Sequence, residues 1–166
     1  ELCRAVGTTL VHENNLSNTA SAWLNKRGVP TVNMEIGGSY LSPVDVREAE
    51  EFTVTGLRRV MGHLGMIQGE DPARLKQLLF SVKSRFEANP SKGGFVESYH
   101  QSMKDLDARI EKGTVLGRII DPYTLEIMEE LQAPVSGRLF FGRYSGMIDS
   151  GTKCFAIAEE ETAQWL

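Results

Sequence analysis

Residues 29–65 read VPTVNMEIGGSYLSPVDVREAEEFTVTGLRRVMGHLG: an apolar run that reaches one carboxylate and two glycines, then changes to a helical pattern. β-Branched residues suit a pleated, half-buried backbone, so residues 29–37 predict a strand. Ser42 is placed to cap the next element and Pro43 to occupy its first position, with Asp45, Glu48, Glu50 and Glu51 near its positive end. Ala49, Phe52, Gly56, Leu57, Val60, Met61 and Leu64 then recur at three- and four-residue spacing, one apolar stripe of a helix from Pro43 to Gly65. Glu35 is the anomaly. An unpaired buried carboxylate is costly, so an acid ending such a strand is paired, protonated or functional.

Working outward, ELCRAVG (1–7) reads as the tail of a helix stopped by Gly7, and TTLVHE (8–13) as a short strand. NNLSNTASAWLNKRG (14–28) has a polar start, Ala20, Trp23 and Leu24 at helical spacing, basic residues in the last turn and then Gly28. Residues 1–67 therefore read strand–helix–strand–helix, half of an α/β layer. Composition changes after QGEDPAR (68–74), and residues 72–84 are ambiguous, a short helix capped by Asp71 being one reading. From Arg85 the chain breaks into short alternating runs between turn signals, among them SRFEA, GGFVES, TVLGRII, QAPVSGRLFF and TKCFAIAEE. That spacing predicts a small β-sandwich or barrel. EKGTVLGRI (111–119) and DSGTKCFAI (149–157) are two copies of an acid–x–Gly–Thr turn entering a strand, a weak repeat of the kind a pseudo-symmetric sandwich carries. YHQSMKDLDARI (99–110) has some helical spacing and is expected to be a connecting excursion. The expected fold class is thus α/β, a partial layer over 1–68, then a connector over 69–84 and a β-rich, barrel-sandwich-like domain over 85–166.

The 166 residues carry a net charge of -4, which argues against a nucleic-acid surface, since that needs a basic patch. No apolar stretch approaches the roughly 18 residues of a membrane span, and the opening residues do not read as a secretory leader, so neither is expected. A cytoplasmic protein is expected, with a homo-oligomer left open. Cys3 and Cys154 sit near opposite ends with no metal-type spacing, and read as reduced thiols, a long-range disulfide being the alternative. The first residue is Glu1 rather than Met, so a processed or truncated chain is expected.

KRGVPTVNMEIGG (26–38), followed by a helix ending GLRRVMGHLGMI, resembles the succinylglutamate desuccinylase/aspartoacylase family of zinc-dependent amidohydrolases, whose fold is similar to that of the zinc carboxypeptidases. KGTVLGRIID, APVSGRLFF and IDSGTKCFAIAE resemble that family's C-terminal β domain, which is similar to lipoyl-type barrel-sandwich domains. The resemblance extends from about residue 5 to 160 and is to the C-terminal portion. It implies a deacylase that cleaves the amide bond of a small acyl amino acid, with Glu35 activating a zinc-bound water. At the end of a parallel strand, Glu35 would face the usual crevice of an open α/β sheet, with Gly37 and Gly38 letting backbone pass close to substrate. A structural ion pair of Glu35 with Lys26 or Arg27 is the competing reading.

The family pattern also includes a His-x-x-Glu pair and a later His, and this sequence has no His-x-x-Glu. His12, His63 and His100 show no local ligand spacing; His12 alone, at a strand mouth, is a candidate ligand. The zinc ligands are therefore expected outside this chain, which alone is expected to be inactive. The resemblance further implies substrate contacts from Tyr144, in a glycine-flanked loop of the β domain, and from Lys26, Arg27 and Arg143, because acyl amino acids carry carboxylates. A biotin- or lipoate-carrying domain would need a lysine at the hairpin of IIDPYTLEIMEELQAP (119–134), which has none. The remaining alternative is a non-catalytic, metal-free interaction or scaffold module.

Overall fold

The computed structural model describes residues 1–13, 17–36, 43–68, 75–100 and 102–166. Gly37, Gly38, the proposed cap Ser42 and the proposed cap Asp71 with Pro72 lie outside them. In chain order the elements are α1 (Leu2–Val6), β1 (Leu10–Glu13), α2 (Ala20–Asn25), α3 (Pro43–His63), β2 (Leu78–Ser81), β3 (Arg85–Ala88), β4 (Gly94–Ser98), β5 (Arg109–Ile110), β6 (Val115–Ile120), β7 (Ile127–Gln132), β8 (Gly137–Gly142), β9 (Ser145–Ile148), β10 (Phe155–Glu159) and β11 (Gln164–Trp165). The chain is mixed α/β with mostly β structure, and divides into two compact units: Glu1–Leu79 with Trp165–Leu166, and Phe80–Gln164.

In the first unit α1 ends at Gly7, whose φ of 95° is the left-handed conformation that glycine adopts without a Cβ penalty. Its N–H closes the helix on the Cys3 carbonyl at 3.1 Å. α2 begins at Thr19, whose hydroxyl accepts the Ala22 N–H at 3.2 Å. α3 packs on α1, and Gly56 makes the approach possible: a Cβ there would lie 3.1 Å from Val6 Cγ1 and 3.2 Å from the Val6 carbonyl. The Leu78 N–H donates to Thr9 at 2.8 Å, the Leu166 N–H to Gln77 at 2.8 Å, and the buried Gln77 amide to the Thr8 carbonyl at 2.8 Å. These bonds accompany a three-stranded sheet ordered β1-β2-β11.

One expected element is absent. Residues 29–36 run without regular secondary structure instead of forming a strand. A strand exists only where neighbouring backbone completes its ladder, and Thr31 finds its partners on a side chain.

The second unit holds two four-stranded antiparallel sheets, β3-β10-β8-β5 and β7-β6-β4-β9. Val96, Leu116, Ile119, Leu131 and Ile148 of one sheet and Ile110, Leu139, Phe155 and Ile157 of the other share a single buried core, so the sheets form a sandwich. The two Gly–Thr turns match in detail. Gly113 and Gly151 have φ of 85° and 75°, and in each turn the Thr N–H donates to the acid's carbonyl, Thr114 to Glu111 at 3.0 Å and Thr152 to Asp149 at 3.2 Å. The following strands, β6 and β10, enter different sheets. Their equivalent positions are both buried: Leu116 with Cys154, and Ile119 with Ile157. At Gly117 and its counterpart Phe155 the repeat is broken in size, and usefully so. A Cβ on Gly117 would lie 3.1 Å from Phe155 Cζ, so the small residue of one copy makes room for the ring of the other. Residues 99–110 contain one 3-10 turn, Met103–Asp105, closed by a reciprocal cap between Ser102 and Asp105.

Candidate functional site

Glu35 lies in the irregular segment 29–36 and is exposed. What positions that segment is α2 and its last turn. The chain leaves α2 through Gly28, at φ 79°, with the Gly28 N–H on the Asn25 carbonyl at 3.0 Å and the Val29 N–H on the Leu24 carbonyl at 3.1 Å. Asn25 Oδ1 then accepts the Thr31 N–H at 2.7 Å, and Asn25 Nδ2 donates to the Thr31 carbonyl at 3.1 Å. A side-chain amide offers one acceptor and one donor side by side, as a strand's peptide group would. Thr31 Oγ1 adds a bond to the Val29 carbonyl at 3.0 Å, and Asn33 Nδ2 donates to Ser21 Oγ at 3.4 Å. The segment is thereby strapped to α2 by polar side chains that the apolar pattern of the sequence did not single out.

Arg27 sits in the same unit, stacked on Trp23 with its guanidinium carbon 3.6 Å from the ring centroid and Nη1 donating to the Trp23 carbonyl at 3.4 Å. The stacking holds an exposed cation in one orientation. Lys26 is exposed at the helix end. His12 is half-buried on β1, His100 half-buried after β4 and His63 exposed at the end of α3.

Tyr144 and Arg143 belong to the other unit, in the connection between β8 and β9. The Arg143 N–H donates to the Cys154 carbonyl at 2.9 Å and its Nε to the Lys153 carbonyl at 3.2 Å, which pins the connection to the lead of β10. Tyr144 is half-buried. Cys154 is buried beneath this turn; burial pushes its thiol up to about 12, with the Arg143 charge opposing in part. It is an inert packing thiol rather than a nucleophile. Cys3 and Cys154 are both free.

Among the described residues, no group of three or more His, Cys, Asp and Glu side chains gathers that could hold a metal ion. The zinc implied by the resemblance therefore has no ligand set in the described part of this chain. The structure brings Glu35 and Arg27 into one unit and Arg143 and Tyr144 into the other. No described helix is long and apolar enough to cross a membrane.

No protein-family model and no curated protein sequence matches the chain. Solved structures do. The ectoine utilization protein EutE (DoeB) from Ruegeria pomeroyi, in a product-bound structure, matches with a TM-score of 0.72 at 21% identity, over 95% of this chain and 47% of its own. A succinylglutamate desuccinylase from Silicibacter sp. TM1040 matches with a TM-score of 0.73 at 23% identity, over 95% and 48%. An aspartoacylase family protein from Mesorhizobium loti matches with a TM-score of 0.70 at 16% identity, over 96% and 46%. At these identities the likeness is one of fold, and the chain spans about half the length of the structures it matches. The chain has the fold of a portion of the succinylglutamate desuccinylase/aspartoacylase family structures, consistent with their C-terminal portion.

Proposed function

We propose that this chain is part of a hydrolase that cleaves the amide bond of a small acyl amino acid or related compound. The observation that carries the reading is the match of about 95% of the chain to structures of a desuccinylase and of an aspartoacylase family protein. In this reading Glu35 is the general base that takes a proton from the attacking water and returns it to the leaving amine. Its exposure supports the role, because it leaves the carboxylate within reach of solvent and substrate. Arg27, held over the Trp23 ring, is a carboxylate contact, and Arg143 and Tyr144 supply contacts from the β-sandwich. Zinc is the proposed metal, its ligands coming from the part of the fold this chain does not cover. His12 remains a candidate contributor only. A cytoplasmic protein with a small-molecule substrate and no nucleic-acid partner completes the proposal.

The test is turnover. The product of the longest reading frame containing this chain is assayed on a panel of N-acyl amino acids, beside the 166-residue chain. Hydrolysis by the longer product and none by the chain alone is expected; no hydrolysis by either rejects the enzyme reading in favour of a non-catalytic interaction module.

A further inference from the structure

The outer face of the sheet β7-β6-β4-β9 carries an apolar row from edge to edge. Phe95 of β4 stands opposite Met147 of β9 on one side and Ile120 of β6 on the other, and Ile120 stands opposite Ile127 of β7. Residues directly opposite in antiparallel strands share a face. This face is turned away from the core, because the adjoining residues Val96, Ile119 and Ile148 are buried in it. Phe95 is 40% exposed, Met147 62% and Ile127 52%, with Ile120 half-buried. Strands about 4.8 Å apart make such a row roughly 14 Å long. The hairpin 121–126 joins the β6 and β7 ends of the row and adds Tyr123, 94% exposed, and the left-handed, exposed Leu125. Asp121 holds that tip in shape, its Oδ1 accepting the Tyr123 N–H at 2.8 Å and the Thr124 N–H at 3.2 Å. Single exposed apolar residues are ordinary, but a continuous band that runs onto a fixed tip with a bare tyrosine has the make-up of a contact surface.

The same sheet carries the chain's excess charge. Its strands and the turns at their ends, residues 91–98, 115–132 and 145–150, hold the acids Glu97, Asp121, Glu126, Glu129, Glu130 and Asp149 against the cations Lys92 and Arg118. Six acids and two cations give -4, the net charge of the whole chain, so its other residues balance. Arg118 is already matched, ion-paired to Glu97 and opposite Glu130 in the row next to the apolar one. We propose that this face docks a cationic amphipathic helix of a partner protein, its apolar stripe on the row and its Lys or Arg side chains against the exposed Glu126, Glu130 and Asp149. A helix repeats an apolar residue every three or four positions, about 5 Å apart, so three turns span the row. Charge chooses this occupant. A second copy meeting the face across a two-fold axis would set the same acids against themselves, and an anionic lipid surface would be repelled likewise. The face belongs entirely to the sandwich unit and does not depend on what the chain catalyses.

The probe is a synthetic peptide of about 18 residues, long enough to form a helix, with a leucine stripe flanked by lysines. It is titrated into the 166-residue chain and followed by amide NMR shifts, beside a version with glutamates for the lysines and a scramble of equal composition without the stripe. The lysine peptide is expected to shift amides of β4, β6 and β7, and the two controls to bind at least tenfold more weakly. Tyr123→Ser combined with Met147→Ser should weaken the lysine peptide about tenfold while the melting temperature holds within a degree or two, because both side chains already face water. Glu126→Lys combined with Glu130→Lys should weaken it as much and flatten its salt dependence. Leu125→Asn should weaken it while raising the melting temperature, which separates docking from folding. No binding by the lysine peptide, equal binding by either control, shifts on another surface, or variants that bind like the parent would each overturn the proposal. So would a dimer that the Tyr123→Ser, Met147→Ser pair dissolves in light scattering, which makes a second copy the occupant. Binding to phosphatidylserine vesicles that the same pair abolishes would replace the helix by a membrane and overturn it too.

Discussion

Asn25 and Thr31 are joined by two hydrogen bonds in opposite senses, Thr31 N–H to Asn25 Oδ1 at 2.7 Å and Asn25 Nδ2 to the Thr31 carbonyl at 3.1 Å. One side chain thus does for Thr31 what a strand partner does elsewhere. Asn25→Asp keeps the acceptor and loses the donor; Asn25→Leu loses both. Because the pair is exposed, the expected cost is small, about 1 kcal/mol for Asn25→Leu and less for Asn25→Asp. The sharper readout is local. Hydrogen exchange at the Thr31 amide should accelerate strongly in Asn25→Leu and little in Asn25→Asp, while amides of β6 and β10 are unchanged. Equal exchange in all three proteins would show that the bridge does not hold the segment.

Gly117 and Phe155 give a second prediction. Phe155→Ala empties the space that the repeat's asymmetry created and should cost about 3–5 kcal/mol in denaturant unfolding, as core ring deletions do. Gly117→Ala should also destabilise, because its Cβ would stand 2.7 Å from the Glu97 carbonyl, a backbone atom with little freedom to move. Gly117→Ala combined with Phe155→Leu should recover only part of the loss, since the smaller side chain relieves the ring contact and not the carbonyl one. Full recovery would mean that the ring alone sets the size of residue 117.

Leu125 has φ 62°, in a hairpin tip where it is 76% exposed. A left-handed leucine is strained, and here no burial repays it. Asp121 fixes the tip, its Oδ1 accepting the Tyr123 N–H at 2.8 Å and its carbonyl the Leu125 N–H at 2.9 Å. Leu125→Asn, which tolerates this conformation, should therefore stabilise the protein by about 0.5–1 kcal/mol. A loss of stability would show that the leucine makes a contact worth more than the strain.

Cys154 sets a pH signature. Its folded-state value, about 12, stands above the ordinary 9.0, so the folded thiol stays protonated where the unfolded one ionises. The stability this contributes is complete below pH 9 and is lost as pH rises towards 12, by up to about 1.4 kcal/mol per unit. Cys154→Ala should be less stable at pH 8 and flatter between pH 9 and 11 than the parent. In native protein an alkylating reagent should modify Cys3 well before Cys154; simultaneous modification would contradict the burial.

Much of this architecture was legible because it is locally encoded. Pro43 and the three- and four-residue spacing mark α3, and the Gly113 and Gly151 turns announce two strands by the one conformation glycine supplies freely. Segment 29–36 departs from the expected strand for a physical reason: β-branched composition states what a strand would be made of, and only a neighbouring backbone makes one. Of the candidate site, Glu35 and Arg27 were visible as charges beside glycines, whereas Asn25 was not, since an amide in a helix end has no distinctive pattern until the segment it holds is seen.

The proposed base gives the last prediction. Glu35→Gln keeps the shape and hydrogen-bonding capacity of the side chain and removes its ability to accept a proton. In the complete protein turnover should fall by ~10²–10⁴-fold, the usual cost of losing general acid–base catalysis. KM should move little if, as proposed, Arg27 and Arg143 and not Glu35 meet the substrate's carboxylates. Folding should be unchanged, since Glu35 is exposed and takes no part in the Asn25–Thr31 bridge that anchors its segment. A structural ion pair with Lys26 or Arg27 predicts the opposite split, a lower melting temperature with turnover preserved in whatever protein remains folded. Activity, bound metal and melting temperature measured on one Glu35→Gln preparation separate the two. Turnover near that of the parent would end the catalytic reading of this residue, and a loss of bound metal together with turnover would make Glu35 a ligand instead of a base.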